Sequence, residues 1–105
     1  MTHQTVRLLP WPGPDGKPCY LISDGTGASH VSRVADNVES VQLDMADELL
    51  DHAADMLADP QVTAAQLRFL ADRMAEALRD VCRIAVSRGE RLRASECGGE
   101  PAQLP

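Results

Sequence analysis

The sequence predicts a mainly α-helical chain, an antiparallel two-helix hairpin with a small N-terminal β-hairpin that dimerises into a four-helix bundle. Three observations predict it. Apolar residues recur at steps of three and four from Val34 to Met56, and again from Leu67 to Ala85. The link between these stretches, Asp59-Pro60-Gln61-Val62, is so short that the two helices must be antiparallel neighbours. Residues 1–31 instead carry Pro and Gly around short apolar runs, which is strand and turn chemistry. With 105 residues the chain is one domain over 1–90, comprising a β element at 5–31, a helix at 32–59 and a helix at 64–88. Residues 91–105 have no periodicity and read as a flexible C-terminal tail.

The β element is built from Val6-Arg7-Leu8-Leu9 and Cys19-Tyr20-Leu21-Ile22. Between them, Pro10 to Pro18 is too proline-dense for helix, and its Asp15-Gly16 pair signals a turn. A second turn, Asp24-Gly25-Thr26-Gly27, follows, with a third short strand expected at Ser29 to Val31. The first helix runs on Val34, Val38, Val41, Met45, Leu49, Ala53 and Met56, with Ser32 as N-cap or a capping box at Asp36 and Glu39. Pro60 stops it. Thr63-Ala64-Ala65-Gln66 is a capping box that opens the second helix, and Gly89 is a suitable residue to close it after Arg88.

Charge and composition exclude several classes. Ten Lys and Arg stand against sixteen Asp and Glu, a net charge of −6, which disfavours binding to a phosphate backbone. No apolar run approaches the length of a membrane span, and MTHQTVRLLPWPG lacks a signal peptide's apolar core and cleavage site. One Phe, one Tyr and one Trp leave the core to aliphatic side chains. Cys19, Cys82 and Cys97 are odd in number and lack C-x-x-C spacing, so a reducing cytoplasm is the expected setting.

On helical wheels the apolar arc of each helix spans about 200°, twice the stripe that one partner helix covers. The β element is too small to cover the excess, so a second copy of the chain is expected to do so. The residues expected at that dimer interface are Leu70, Met74, Leu78, Val81 and Leu49.

Candidate chemistry is sparse. His52 lies on the apolar arc with Glu48 four residues before it and Asp55 three after, a helical spacing that suits a divalent metal. The second helix has no His to complete such a site, so no metal and no cofactor are expected, and His52 reads as a partly buried residue near an interface. Ser23, Ser29, Ser32 and Cys19 near His30 lack the orienting third group of a catalytic set. Asp24 to Gly27 lacks a phosphate-binding lysine. Asp44, Glu48, Asp51 and Asp55 form an acidic edge suited to a basic partner, the arginines of the second helix included. Phe69 falls within the charged arc of the second helix and Trp11 in the Pro-rich loop. These two aromatics and the acidic edge are the candidate partner-binding residues. For Phe69 and Trp11 the competing expectation is that they pack on each other and pin the β element to the helices.

Through Arg7-Leu8-Leu9-Pro10-Trp11, Gly16-Lys17-Pro18-Cys19-Tyr20-Leu21, Val31 to Asn37 and Leu67-Arg68-Phe69-Leu70-Ala71, the chain resembles small acidic proteins of unassigned activity from high-GC actinobacteria. The resemblance implies no reaction. The residues themselves favour a non-enzymatic protein–protein interaction or regulatory accessory module that self-associates, with no nucleic acid and no membrane. The alternative is a small enzyme or ligand-binding protein with a pocket between the β element and the helices, using His30 or His52.

Overall fold

A computed structural model of the chain describes residues 5–23 and 29–99. Two strands, β1 (Thr5–Pro12) and β2 (Pro18–Ser23), pair antiparallel with Val6 opposite Ile22 and Leu8 opposite Tyr20. They are joined through a turn at Pro14–Gly16 in which Asp15 and Gly16 both take left-handed conformations, with φ of 65° and 74°. Glycine adopts that region without penalty and Asp tolerates it better than most residues, as the Asp-Gly pair predicts. Two long helices follow, α1 (Ser29–Ala58) and α2 (Ala64–Gly99).

The helical hairpin is closed as the sequence predicts. Thr63 and Gln66 form the reciprocal capping box, the Gln66 N–H donating to Thr63 Oγ1 at 3.1 Å and the Thr63 N–H to Gln66 Oε1 at 2.9 Å. In the link, the Gln61 N–H donates to Asp59 Oδ1 at 2.8 Å, an Asx turn that reverses the chain before α2.

Three local expectations are corrected. Ser29 to Val31 is the first turn of α1 and not a strand. Ser32, Asp36 and Glu39 do not cap a helix start, because all three are partners of Arg7 from β1. Finally, α2 does not stop at Gly89 but continues ten residues to Gly99. Glycine costs about 1 kcal/mol inside a helix. Here Arg91 holds the next turn by donating to Ser87 Oγ at 2.8 Å and pairing with Glu39 at 3.6 Å. The Asp24–Gly27 turn and residues 100–105 of the expected tail lie outside the described residues.

The core is small. Leu8, Leu9, Ala35, Ala53, Leu70 and Ile84 are its buried apolar residues among those described. On α1 the buried and half-buried residues Ala35, Glu39, Gln42, Ala46, Leu49, Ala53 and Met56 alternate steps of four and three, the seam of a left-handed helix pair. This seam runs through the middle of the broad apolar arc and leaves both its flanks in water. Val34, Val41 and Met45 are exposed on one flank, and Leu50 and Leu57 on the other. β1 packs against both helices, with Arg7, Leu8, Leu9 and Pro10 all buried. Because α1 and α2 have 30 and 36 residues, the molecule is elongated. Its dimensions are 63 × 38 × 21 Å and its radius of gyration 18.4 Å, against about 13 Å for a compact domain of this length. No helix among the described residues is long and apolar enough to cross a membrane.

Candidate protein-binding groove

Two polar anchors fix β1 on the helices. At the first, the Arg7 guanidinium donates to the Ser32 carbonyl at 3.0 Å, to Asp36 at 2.7 Å and to Glu39 at 3.2 Å. Glu39 is only 1% exposed, and it also accepts from Arg88 at 3.4 Å and faces Arg91 at 3.6 Å. A buried carboxylate is tolerated only when paired and hydrogen-bonded, and three guanidinium groups meet that need. At the second anchor, the Pro10 carbonyl accepts from Gln42 Nε2 at 3.0 Å and from Arg83 at 3.2 Å, while buried Ser87 donates to the Leu8 carbonyl at 2.8 Å. These β1 carbonyls have no strand on that side, so helix side chains complete their hydrogen bonding.

Sequence reasoning missed this network. Its signal was present, since Glu39 falls inside the apolar arc of α1 and Arg7 inside an apolar strand run. Two opposite charges, each misplaced among apolar residues, mark a buried pair.

The second anchor places Trp11, and with it one end of a groove. Trp11, Pro10 and Pro12 face Gln42, Glu76, Arg79, Asp80 and Arg83. From Gln42, Glu76 and Asp80 the groove continues between α1 and α2 as two contiguous recesses of about 410 and 470 Å³, which share Leu49, His52 and Arg73. Met45, Leu49 and Met56 supply its apolar floor from α1, and Phe69, Leu70 and Ala77 from α2. Its polar rim holds Glu48, Asp59, Glu76 and Asp80 against Arg73, which is paired with Glu76, and against Arg79 and Arg83 at the Trp11 end. Asp80 is paired with Arg83 at 3.2 Å. Four carboxylates against three guanidinium groups leave the rim acidic by one charge, with Glu48 and Asp59 outside any ion pair among the described residues.

Several expected residues meet in this groove. His52 lies at its centre, exposed, and Glu48 stands on its rim. Asp44, Asp51 and Asp55 are exposed along the same edge of α1 as Glu48, and none of the four forms an ion pair among the described residues. Phe69, 66% exposed, closes the far end. The expected packing of Phe69 on Trp11 is overturned. Trp11 is held beside Arg83, and fourteen residues of helix separate Arg83 from Phe69, a rise of about 21 Å. Phe69→Ala is accordingly expected to change the unfolding free energy by less than about 0.5 kcal/mol, as at other surface sites. A urea titration followed by circular dichroism checks this, and Trp11 emission should keep its wavelength.

Other expected residues are used elsewhere. Of the five proposed for a dimer interface, Leu70 is buried and Leu49, Met74 and Val81 half-buried along the chain's own helix seam, whereas Leu78 is 63% exposed. His30 is exposed on the first turn of α1, Cys19 is half-buried on β2 and Cys82 is exposed on α2. Among the described residues, the recess between the β element and the helices, around Trp11, is lined by no histidine, and the groove by no Ser, Thr or Cys. Among the described residues, no group of three or more His, Cys, Asp or Glu is placed to hold a metal ion. Comparison of the chain with protein-family models, with characterised proteins and with solved structures finds no match.

Proposed function

We propose that this chain is a non-enzymatic interaction module, a self-associating accessory to a regulatory protein of the cytoplasm, which receives a basic amphipathic helix of that partner between α1 and α2. The observation that carries the reading is the groove's combination of a Met-, Leu- and Phe-lined floor with an acidic rim. Two methionines in an open groove suit a helix that must be gripped without exact complementarity, because the thioether side chain repacks easily. An amphipathic helix lays its apolar face on such a floor, and its Lys and Arg then meet the carboxylates of Glu48, Asp44, Asp51 and Asp55.

A designed Leu/Lys amphipathic peptide is the probe. Titrated into the chain, it is expected to bind and shift the emission of Trp11 at the groove's end. Its affinity should fall as salt is raised, since the rim contacts are exposed and screened. Phe69→Ala should weaken binding by about tenfold or more, as for an aromatic anchor. An acidic peptide of the same apolar pattern should not bind. Equal binding of both peptides, or an undiminished affinity in Phe69→Ala, would sink the reading.

A further inference from the structure

The hairpin has a second face, opposite the groove, and we infer that it binds a second copy of this chain. This rests on the self-associating reading above and assigns the surface that performs it. The groove places Met45 and His52 of α1 and Arg73 and Asp80 of α2 on one side of the helix seam. Helical geometry then puts Leu50 and Leu57 of α1, with Leu67, Leu78, Cys82 and Ala85 of α2, on the other side. All six are exposed. Leu43, Leu50 and Leu57 repeat at steps of seven. Ala71, Ala75, Leu78, Cys82, Ala85 and Gly89 repeat at alternating steps of four and three. A spacing of 3.5 residues is the seam of helices that pack along their length, yet among the described residues most of this seam is exposed, with only Leu43 and Gly89 half-buried.

Charge and the 3.5-residue spacing together select a second copy as the occupant. The chain carries a net charge of −6, so two copies repel unless they meet through an uncharged surface. The groove cannot serve, because a two-fold axis would set one acidic rim against another. The opposite face can, since no charged residue interrupts the α2 stripe from Leu67 to Leu92. A two-fold axis sets α2 antiparallel to its copy. The midpoint of the stripe falls between Leu78 and Cys82, so each Leu78 opposes the Cys82 of the other protomer, with small residues on both sides to let the backbones approach. The result is a four-helix bundle with one free groove on each outer side.

Sedimentation equilibrium of the full chain tests the assignment, with Leu78→Arg as the variant. The wild-type chain is expected to be dimeric, and Leu78→Arg should raise its dissociation constant by about a hundredfold, as when a charge is forced into an apolar contact. Helical content should persist, because Leu78 is exposed within the protomer. The variant should still bind the basic amphipathic peptide, so that loss of pairing and failure of the groove reading are read separately. A second measurement stands if the variant does not fold. In a chain with Cys19 and Cys97 replaced by Ser, a short-spacer bismaleimide should couple two protomers through Cys82. A wild-type chain that is monomeric from micromolar to millimolar concentration, because a different protein owns the face, overturns the proposal. So does a Leu78→Arg chain that stays dimeric, or a folded wild-type dimer that Cys82 does not cross-link.

Discussion

Replacing Glu39 with alanine is expected to destabilise the protomer by about 3 to 5 kcal/mol, the cost of removing one partner from a buried ion pair. Arg7 would keep Asp36 and the Ser32 oxygens but lose the carboxylate that meets it inside the protein. Arg88 would lose its link to β1 at the same time, because it reaches the strand through Glu39, and Arg91 would keep only its route through Ser87. Arg7 Nε is already buried without a partner among the described residues. The measurement is chemical denaturation followed at 222 nm. Glu39→Gln, which keeps the shape and one acceptor, should fall between the wild type and Glu39→Ala. A loss under about 1 kcal/mol, within the range of an exposed ion pair, would mean that the network is not what holds β1 down.

Leu9→Ala is expected to cost about 2 to 5 kcal/mol, the range for truncating a buried leucine. Leu9 is 5% exposed and is one of few large apolar side chains that the described core contains. Val41→Ala makes the contrast. Val41 belongs to the apolar repeat from which the first helix is read but is 55% exposed, so the protomer should tolerate its loss within about 0.5 kcal/mol. Side-by-side unfolding curves of the two variants separate the seam that is used from the wider arc that only looked like core. Equal losses in both would show that the flank carrying Val41 is covered.

Much of the fold was legible in the sequence because its signals are local. The Thr63–Gln66 capping box, the Asp-Gly turn and the breaks at Pro60 each lie within a few residues, and each forms where expected. What escaped depends on contacts between distant segments. Ser32, Asp36 and Glu39 have the spacing of helix starts, but a guanidinium from 25 or more positions earlier engages them, and α1 begins upstream of all three. Gly89 looks like a helix end, yet Arg91 beyond it is anchored to Glu39 on the other helix. A wheel likewise reports how wide an apolar arc is and not which third of it a partner helix covers. Hence Leu70, Met74, Val81 and Leu49 read as interface candidates together with Leu78, although only Leu78 is left open by the protomer. The groove residues were individually visible as an acidic edge, a central histidine and a misplaced phenylalanine. That they share one surface required the crossing of α1 and α2.

The clasp between β1 and α2 imposes an order on biosynthesis. Ser87 lies 79 positions after the Leu8 carbonyl that it meets, and Arg91 must also be present to complete the Glu39 network. At translation rates of roughly 5 to 20 residues per second, the N-terminal strands leave the ribosome about 4 to 16 seconds before their docking surface has been made. During that interval Leu8 and Leu9, buried in the folded chain, are uncovered on a nascent chain and open to holdase chaperones. The helical hairpin, whose contacts cross a link of a few residues, closes quickly once made, and the strands are then the last element to dock.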